Sequence, residues 1–405
     1  MTYLPSILDV DVRGKTVLVR ADLNVPLVNG QIRDITRIER FAPTVAQLAE
    51  RGAKVVIVSH LGRPKGVDHS LSLRVVAYAL EDCLGRKVSF IEHCVGDIAE
   101  RAVRALRYGE IALLENLRFH EAEEENSRFF AMLLNILGDI YVNDAFSCAH
   151  RAHASTFGIC EFLPSYAGPS LLAEVSALTS VLQSPKRPVG ALIGGAKVSS
   201  KIAILEQLVS RMDVLIIGGG MANTFLMAQG KQVGTSLYEP NHVLIASRIM
   251  AVAKDHGCKI ILPQDVVVAK EFVSGARSAA TLSDAVPEGE MILDVGPRTI
   301  DAIKTAIDSL STLLWNGPLG AFECQPFDKA TIEIAQFAAD LTSEGRLITV
   351  AGGGDTAAAL NASGVADRFT YLSTAGGAFL EWLEDKELPG ISALMQSTVR
   401  MKEAN

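Results

Sequence analysis

Short runs of Val, Ile and Leu alternate with amphipathic stretches along nearly the whole chain. Thr16–Val19, Lys54–Ser59, Ile111–Leu114, Ile140–Val142, Val189–Ile193, Val214–Ile217, Lys259–Leu262, Thr312–Leu314 and Leu347–Ala351 are mostly apolar without a two-residue alternation. Strands buried on both faces of a parallel sheet have that pattern. Between them, Ile38–Ala49, Ser72–Cys83, Leu171–Leu182, Ser199–Leu208 and Ala330–Leu341 repeat apolar residues at helical spacing. The rhythm predicts βαβ units with right-handed crossovers, so each sheet gathers its strands' carboxyl ends on one edge. The expected fold is α/β, with two Rossmann-like lobes joined by a hinge helix across a cleft.

A chain of 405 residues is longer than one core usually serves. Ser165–Pro169 reads as a loop and SPKRP at Ser184–Pro188 as a break. The expected division is an N-terminal lobe over 1–168, an interdomain helix and linker over 169–187 and a C-terminal lobe over 188–389. A tail over 390–405 is expected to pack back on the N-terminal lobe.

The strand ends carry the candidate chemistry. Arg20, Asp22 and Asn24 follow the first strand, and Arg37 lies just beyond. His60 and Arg63 follow the second, Arg118 and His120 the third, and Asp144, His150, Arg151 and His153 the fourth. Any one of these arginines reads as a structural ion pair. As a set on one sheet edge they suit a small dianion, because the guanidinium fork binds phosphate and carboxylate. The histidines match no metal-binding spacing, and the neighbouring arginines repel a cation.

The second half carries glycine clusters after its strands: IGGAKVSSK (Gly194, Gly195, Lys197, Lys201), IIGGGMANTF (Gly218–Gly220), WNGPLGAFE (Asn316, Gly317, Gly320, Glu323), VAGGGDTAA (Gly352–Thr356) and STAGGAF (Thr374, Gly376, Gly377). Glycine after a strand lets backbone approach a ligand, and the following helix offers N–H groups to phosphate. A helix opening at Lys197 would put Lys197 and Lys201 on one face. No G-x-x-x-x-G-K-[ST] occurs. Gly352-x-Gly354-x-x-Ala357 fits the dinucleotide fingerprint weakly. Asp355 reads equally as a Mg²⁺ ligand or as a helix N-cap.

Composition narrows the classes. The chain is 49% hydrophobic and 21% charged with net charge −8, which is ordinary for a soluble globular protein and poor for binding nucleic acid. No apolar run approaches the roughly 20 residues of a membrane span. The start lacks the features of a leader, so a cytoplasmic address is expected. The six cysteines form no C-x-x-C pair and read as reduced thiols. Fifteen of the 23 arginines and six of the eight histidines lie in residues 1–165, while the glycine clusters lie beyond them.

In order along the chain, VRADLNVP, SHLGRP, ENLRFH, NDAF…AHRAHAS, GGAKVSSK, IIGGGMANTF, WNGPLGAFE, GGGDT and STAGGAF closely resemble the phosphoglycerate kinases. The resemblance spans nearly the whole chain. It implies reversible phosphoryl transfer between 1,3-bisphosphoglycerate and ADP, giving 3-phosphoglycerate and ATP, with Mg²⁺ accompanying the nucleotide. By motif position it implies a triose site of Asp22, Asn24, Arg37, His60, Arg63, Arg118 and Arg151. It implies nucleotide contacts from Gly195, Lys201, Gly218, Gly219, Asn316, Glu323, Gly353, Gly354, Asp355 and Thr356, with Asp355 holding the metal. Arg37, Lys197, Gly353 and Gly376 would serve the transfer itself. A monomer acting on small molecules, with neither nucleic acid nor membrane as partner, is expected. Two positions depart from the family pattern. Ser147 follows NDAF where glycine is common, and Ala375 stands in a run that is often all glycine. An NAD-dependent dehydrogenase and a non-catalytic nucleotide-binding scaffold of the same fold stand as alternatives.

Overall fold

The computed structural model describes residues 4–403. Two compact units divide it, one of residues 1–176 with 387–405 and one of 177–386. In the first unit a six-stranded sheet runs in the order Val88–Ile91, Ile111–Leu114, Lys54–Val58, Thr16–Arg20, Ile140–Asn143, Ser165–Ala167. Every pairing is parallel. Val17, Val19, Val55 and Ile57 pack with Phe41, Val45, Leu48, Val76 and Leu80 from the helices Thr36–Glu50 and Arg74–Leu84. Leu18 and Val56 point to the opposite face and are just as buried. Both faces are covered, which is why these strands show no polar alternation. The helix Pro389–Glu403 packs on Gly158–Glu161 and Ser165–Ala167, and Gly390 N–H donates to Ala149 O at 2.9 Å.

The second unit repeats the design. Its parallel sheet runs Lys259–Ile261, Val214–Ile217, Val189–Ile193, Thr312–Asn316, Ile348–Gly352, Tyr371–Ser373. Leu192, Ile216, Leu313 and Trp315 pack with Ile303, Ile307 and Ile334.

Several features differ from expectation, among them the sheet strands Val88–Ile91 and Tyr371–Ser373. Ser165–Ala167 is a strand, not a loop, because the edge of Ile140–Asn143 recruits it: Tyr141 N–H donates to Pro164 O at 2.9 Å. Asp265–Ala269, Ser278–Leu282 and Met291–Val295 form an extra antiparallel sheet. Leu27–Val28 and Gln31–Ile32 form a hairpin whose turn residues, Asn29 and Gly30, both have positive φ (52° and 74°), as a type I′ turn requires.

Candidate active site

In the first unit, the register Arg20↔Val58 and Arg20↔Asn143 ends three neighbouring strands level with one another. The residues that follow them therefore meet on one edge. Arg20 itself is fully buried, and all three of its guanidinium nitrogens are engaged. Nε donates to Ser155 Oγ at 2.9 Å, Nη1 to Ala21 O, and Nη2 to His60 Nδ1 at 3.1 Å. Ser155 in turn passes its hydroxyl to the buried carboxylate of Glu123 at 2.5 Å and its amide to the same group at 3.0 Å. Desolvation raises the Glu123 pKa, opposed by Arg20 and these hydrogen bonds.

This network fixes His60. Arginine only donates, so Nδ1 accepts and the ring proton sits on Nε2. Burial, followed by the charges of Arg20, Arg118, Arg151 and Arg37, holds the His60 pKa well below its ordinary 6.5. His60 is a neutral imidazole with Nε2–H as its one donor. From sequence, Arg20 has no assigned role and Glu123 is not considered. A charged residue closing an apolar strand was the available signal.

Asp22 is the second centre. Its Oδ2 accepts from both Arg37 Nη1 and Ser147 Oγ, and its Oδ1 accepts from Asn24 N–H at 3.2 Å. Arg37 lies in the first turn of Thr36–Glu50, a turn secured by Asp34 Oδ1, which accepts from Thr36 N at 2.8 Å and Thr36 Oγ1 at 2.5 Å. Asn24 Oδ1 accepts from Gly62 N–H at 2.8 Å, which leaves the amide nitrogen to donate. Arg118 is buried and donates Nη1 to Gly62 O at 2.7 Å. Its Nε lies 3.1 Å from Glu124 Oε1 in an ion pair whose angle makes no hydrogen bond. Arg151 Nε donates to His150 Nε2 at 3.1 Å. Arg63 is exposed on the loop after His60, outside these hydrogen bonds.

Asp22, His60 and Cys148 place one ligand atom each within 4.8 Å of one another. Arg20 faces both His60 and Cys148, and Arg37 faces Asp22. The surrounding charge suits an anion, not a cation.

In the second unit Lys201 brackets two loops. Nζ donates to Gly194 O at 2.5 Å, Asn316 O at 3.1 Å and Asn316 Oδ1 at 2.6 Å. Burial, partly offset by Asp355, lowers its pKa to about 8. The expectation that Lys197 and Lys201 share a helix face fails. Glu239 captures Ser199, accepting from its N–H at 2.9 Å and its hydroxyl at 2.5 Å, so the helix begins only at Ile202. Lys197 stands exposed on the loop before it.

Several glycines let loop pack closely against loop. A Cβ on Gly194 would meet Pro318 O, and one on Gly219 (φ +67°) would lie 2.6 Å from Gly195 O. A Cβ on Gly218 would lie 2.5 Å from the Leu319 side chain. The amides opening the helix Gly219–Ala228 are spent as well: Gly219 N–H donates to Leu319 O at 2.7 Å and Met221 N–H to Gly195 O at 2.9 Å.

Two other helix starts remain open. Gly354–Ala362 and Gly376–Leu383 follow the adjacent strands Ile348–Gly352 and Tyr371–Ser373, and neither has a side-chain cap. Gly354 and Gly376 are exposed, with nothing within 4 Å of where a Cβ would sit. Uncapped helix N-termini of this kind carry partial positive charge and suit an anion. Asp355 is not the N-cap; Gly353, at φ +100°, holds that position and leaves the Asp355 carboxylate exposed in the first turn. Thr356 is buried, and its hydroxyl accepts from Gly317 N–H at 2.7 Å, so its side chain ties down a loop. Asn316 Nδ2 donates to Gly352 O at 2.7 Å. Glu323 is exposed. Ala375 caps Gly376–Leu383 with φ −89°, a conformation open to any residue, so replacing glycine there brings no strain.

The phosphoglycerate kinase family profile matches residues 7–386. Phosphoglycerate kinase of Methylobacterium radiotolerans is 58% identical over 383 residues, covering 94% of this chain and 96% of its own. That of Xanthobacter flavus is 55% identical over 385 residues, covering 95% and 97%. The structure of phosphoglycerate kinase from Coxiella burnetii aligns with a TM-score of 0.90 at 41% identity, covering 97% of this chain and 99% of that one. The enzyme from Pyrococcus horikoshii aligns with a TM-score of 0.84 at 30% identity, covering 98% and 99%.

Proposed function

The chain belongs to the phosphoglycerate kinase family, and on that premise we propose how its residues divide the work. The activity is reversible phosphoryl transfer between 1,3-bisphosphoglycerate and ADP; the dehydrogenase alternative has no support. Asp22 and Asn24 take the hydroxyl and carboxyl end of the triose. His60 Nε2–H and the arginines 37, 63, 118 and 151 hold its phosphate. In the second unit the helix starts at Gly354 and Gly376, together with the Lys201 ammonium, receive nucleotide phosphates, Lys197 meets the transferring group, Glu323 takes the ribose hydroxyls and Gly218 and Gly219 line the base pocket. Asp355, its carboxylate exposed in the first turn of its helix, would hold Mg²⁺ beside phosphate oxygens, where the ion would neutralise phosphate charge.

In the direction of acyl-phosphate synthesis the nucleophile is a carboxylate, ionised at pH 7. No general base is needed, which suits a site whose two buried histidines on this edge, His60 and His153, both have pKa values lowered by burial and by the neighbouring arginines. Catalysis is left to alignment and to charge neutralisation on the transferred group, the tasks assigned to Arg37 and Lys197. The neutral, tautomer-locked His60 among arginines, on the edge that holds Asp22 and Asn24, supports this reading most strongly.

The assignment is tested by calorimetry on two variants. Arg118→Ala is expected to weaken 3-phosphoglycerate binding by about tenfold or more, since a buried charged hydrogen-bond donor is lost, and to leave ATP binding within about twofold. Lys201→Met is expected to do the reverse. Loss of ATP binding in Arg118→Ala would contradict the division.

A further inference from the structure

Ser147 lies in the short turn Phe146–Cys148 that follows the strand Ile140–Asn143. Arg20 pairs with Asn143 in the sheet, so the turn reaches the edge where Asp22 emerges from the neighbouring strand. The turn is pinned by Cys148 N–H to Ala145 O at 3.0 Å and Ala149 N–H to Phe146 O at 2.9 Å. Ser147 Oγ donates to Asp22 Oδ2, the same oxygen that Arg37 Nη1 reaches. A carboxylate oxygen offers two lone pairs, so the two donors coexist.

The proposed reaction asks two different things of this cluster. Asp22 must stay oriented to accept a substrate hydroxyl. Arg37 must leave Asp22 to face the transferred phosphoryl group. The Asp22 side chain is only 13% exposed, so losing Arg37 would leave Oδ2 poorly solvated. A second donor on that oxygen removes the difficulty.

We propose that Ser147 is a positioning residue for the triose site: its hydroxyl holds Asp22 in the accepting orientation and keeps Oδ2 satisfied while Arg37 turns to the phosphoryl group. This rests on the triose assignment above. Ser147 acts through Asp22 and Arg37 and touches neither reacting atom.

The test is a double-mutant cycle on the full-length enzyme, with thermal melts to check folding. Ser147→Ala removes a hydrogen bond to a charged, largely buried group. It is expected to raise the 3-phosphoglycerate KM roughly 3- to 15-fold and to leave the ATP KM within about twofold. Ser147→Thr keeps the hydroxyl and is expected to restore the KM to within about threefold of the parent. In an Asp22→Asn background, Ser147→Ala is expected to change the triose KM by less than about twofold, because its partner is already altered. Three results overturn the proposal: an unchanged KM in Ser147→Ala, a parallel rise in the ATP KM, or the same loss in both backgrounds. Failure of the triose assignment itself would show separately, as Asp22→Asn leaving the triose KM unchanged.

Discussion

Binding of nucleotide is predicted to draw a proton onto Lys201. In the free protein the ammonium is buried and spends its three donors on Gly194 O, Asn316 O and Asn316 Oδ1. Burial brings its pKa from the ordinary 10.5 to about 8. The drop corresponds to roughly 3 kcal/mol by which the neutral amine gains on the ammonium relative to water. A phosphate brought beside Nζ supplies the opposite charge and returns the pKa toward 10.5. At pH 8 the free amine is half protonated, so ATP binding should take up about 0.5 proton, and only about 0.1 at pH 7. The assay is calorimetry with ATP, without triose, in buffers of different ionisation enthalpy; the slope of observed heat against that enthalpy is the proton number. Lys201→Met should bring the slope at pH 8 close to zero. A parent slope of zero, or one showing proton release, would refute the assignment of Lys201 to the phosphates. The same group affects stability. Its folded pKa lies below its unfolded one, so the unfolded chain holds more protons between pH 8 and 10.5. Its contribution to stability therefore rises with pH across that window.

His60 should show the Nε2–H tautomer in nitrogen NMR and be neutral at the ordinary imidazole midpoint; an imidazolium at pH 6.5 would contradict the Arg20 contact. Because its folded pKa is depressed, acidification below pH 6.5 protonates the unfolded chain first and costs stability, and His60→Gln should flatten that acid slope in urea melts. Gly219→Ala places a Cβ at φ +67° against Gly195 backbone and is expected to cost roughly 2–4 kcal/mol by chemical denaturation; a loss under about 1 kcal/mol would contradict the loop packing. Arg37→Ala should lower kcat by roughly a hundredfold or more with the ATP KM little changed, and a near-normal kcat would remove Arg37 from the transition state.

Strands such as Lys54–Val58 and Val189–Ile193 were legible because burial on both faces writes itself as an unbroken apolar run. Ser278–Leu282 was not, because SAATL is half exposed and lies outside both main cores. Ser165–Ala167 is three residues long and becomes a strand only because a neighbour's edge is open to it. Residue types and strand-end positions were enough to expect Asp22, Arg37, His60 and Arg118 on one sheet edge, where the structure has them. Buried polar partners were not legible: Arg20, Glu123 and Ser155 come together from distant segments, and a charge is read from sequence as surface unless its partner is known. The start of the helix after Lys197 went wrong for a related reason, since Glu239, forty residues away, decides where Ser199 points. Ser147 and Ala375 stood out only as departures from a pattern; the hydrogen bond to Asp22 and the φ of −89° say what each does.

The most direct test of the account is ATP-dependent phosphorylation of 3-phosphoglycerate, followed by coupled reduction of the acyl phosphate with NADH, with 3-phosphoglycerate, Mg²⁺ and protein omitted in turn. The account predicts turnover that requires all three. Turnover without 3-phosphoglycerate, or none at all while ATP and 3-phosphoglycerate both bind, would contradict it.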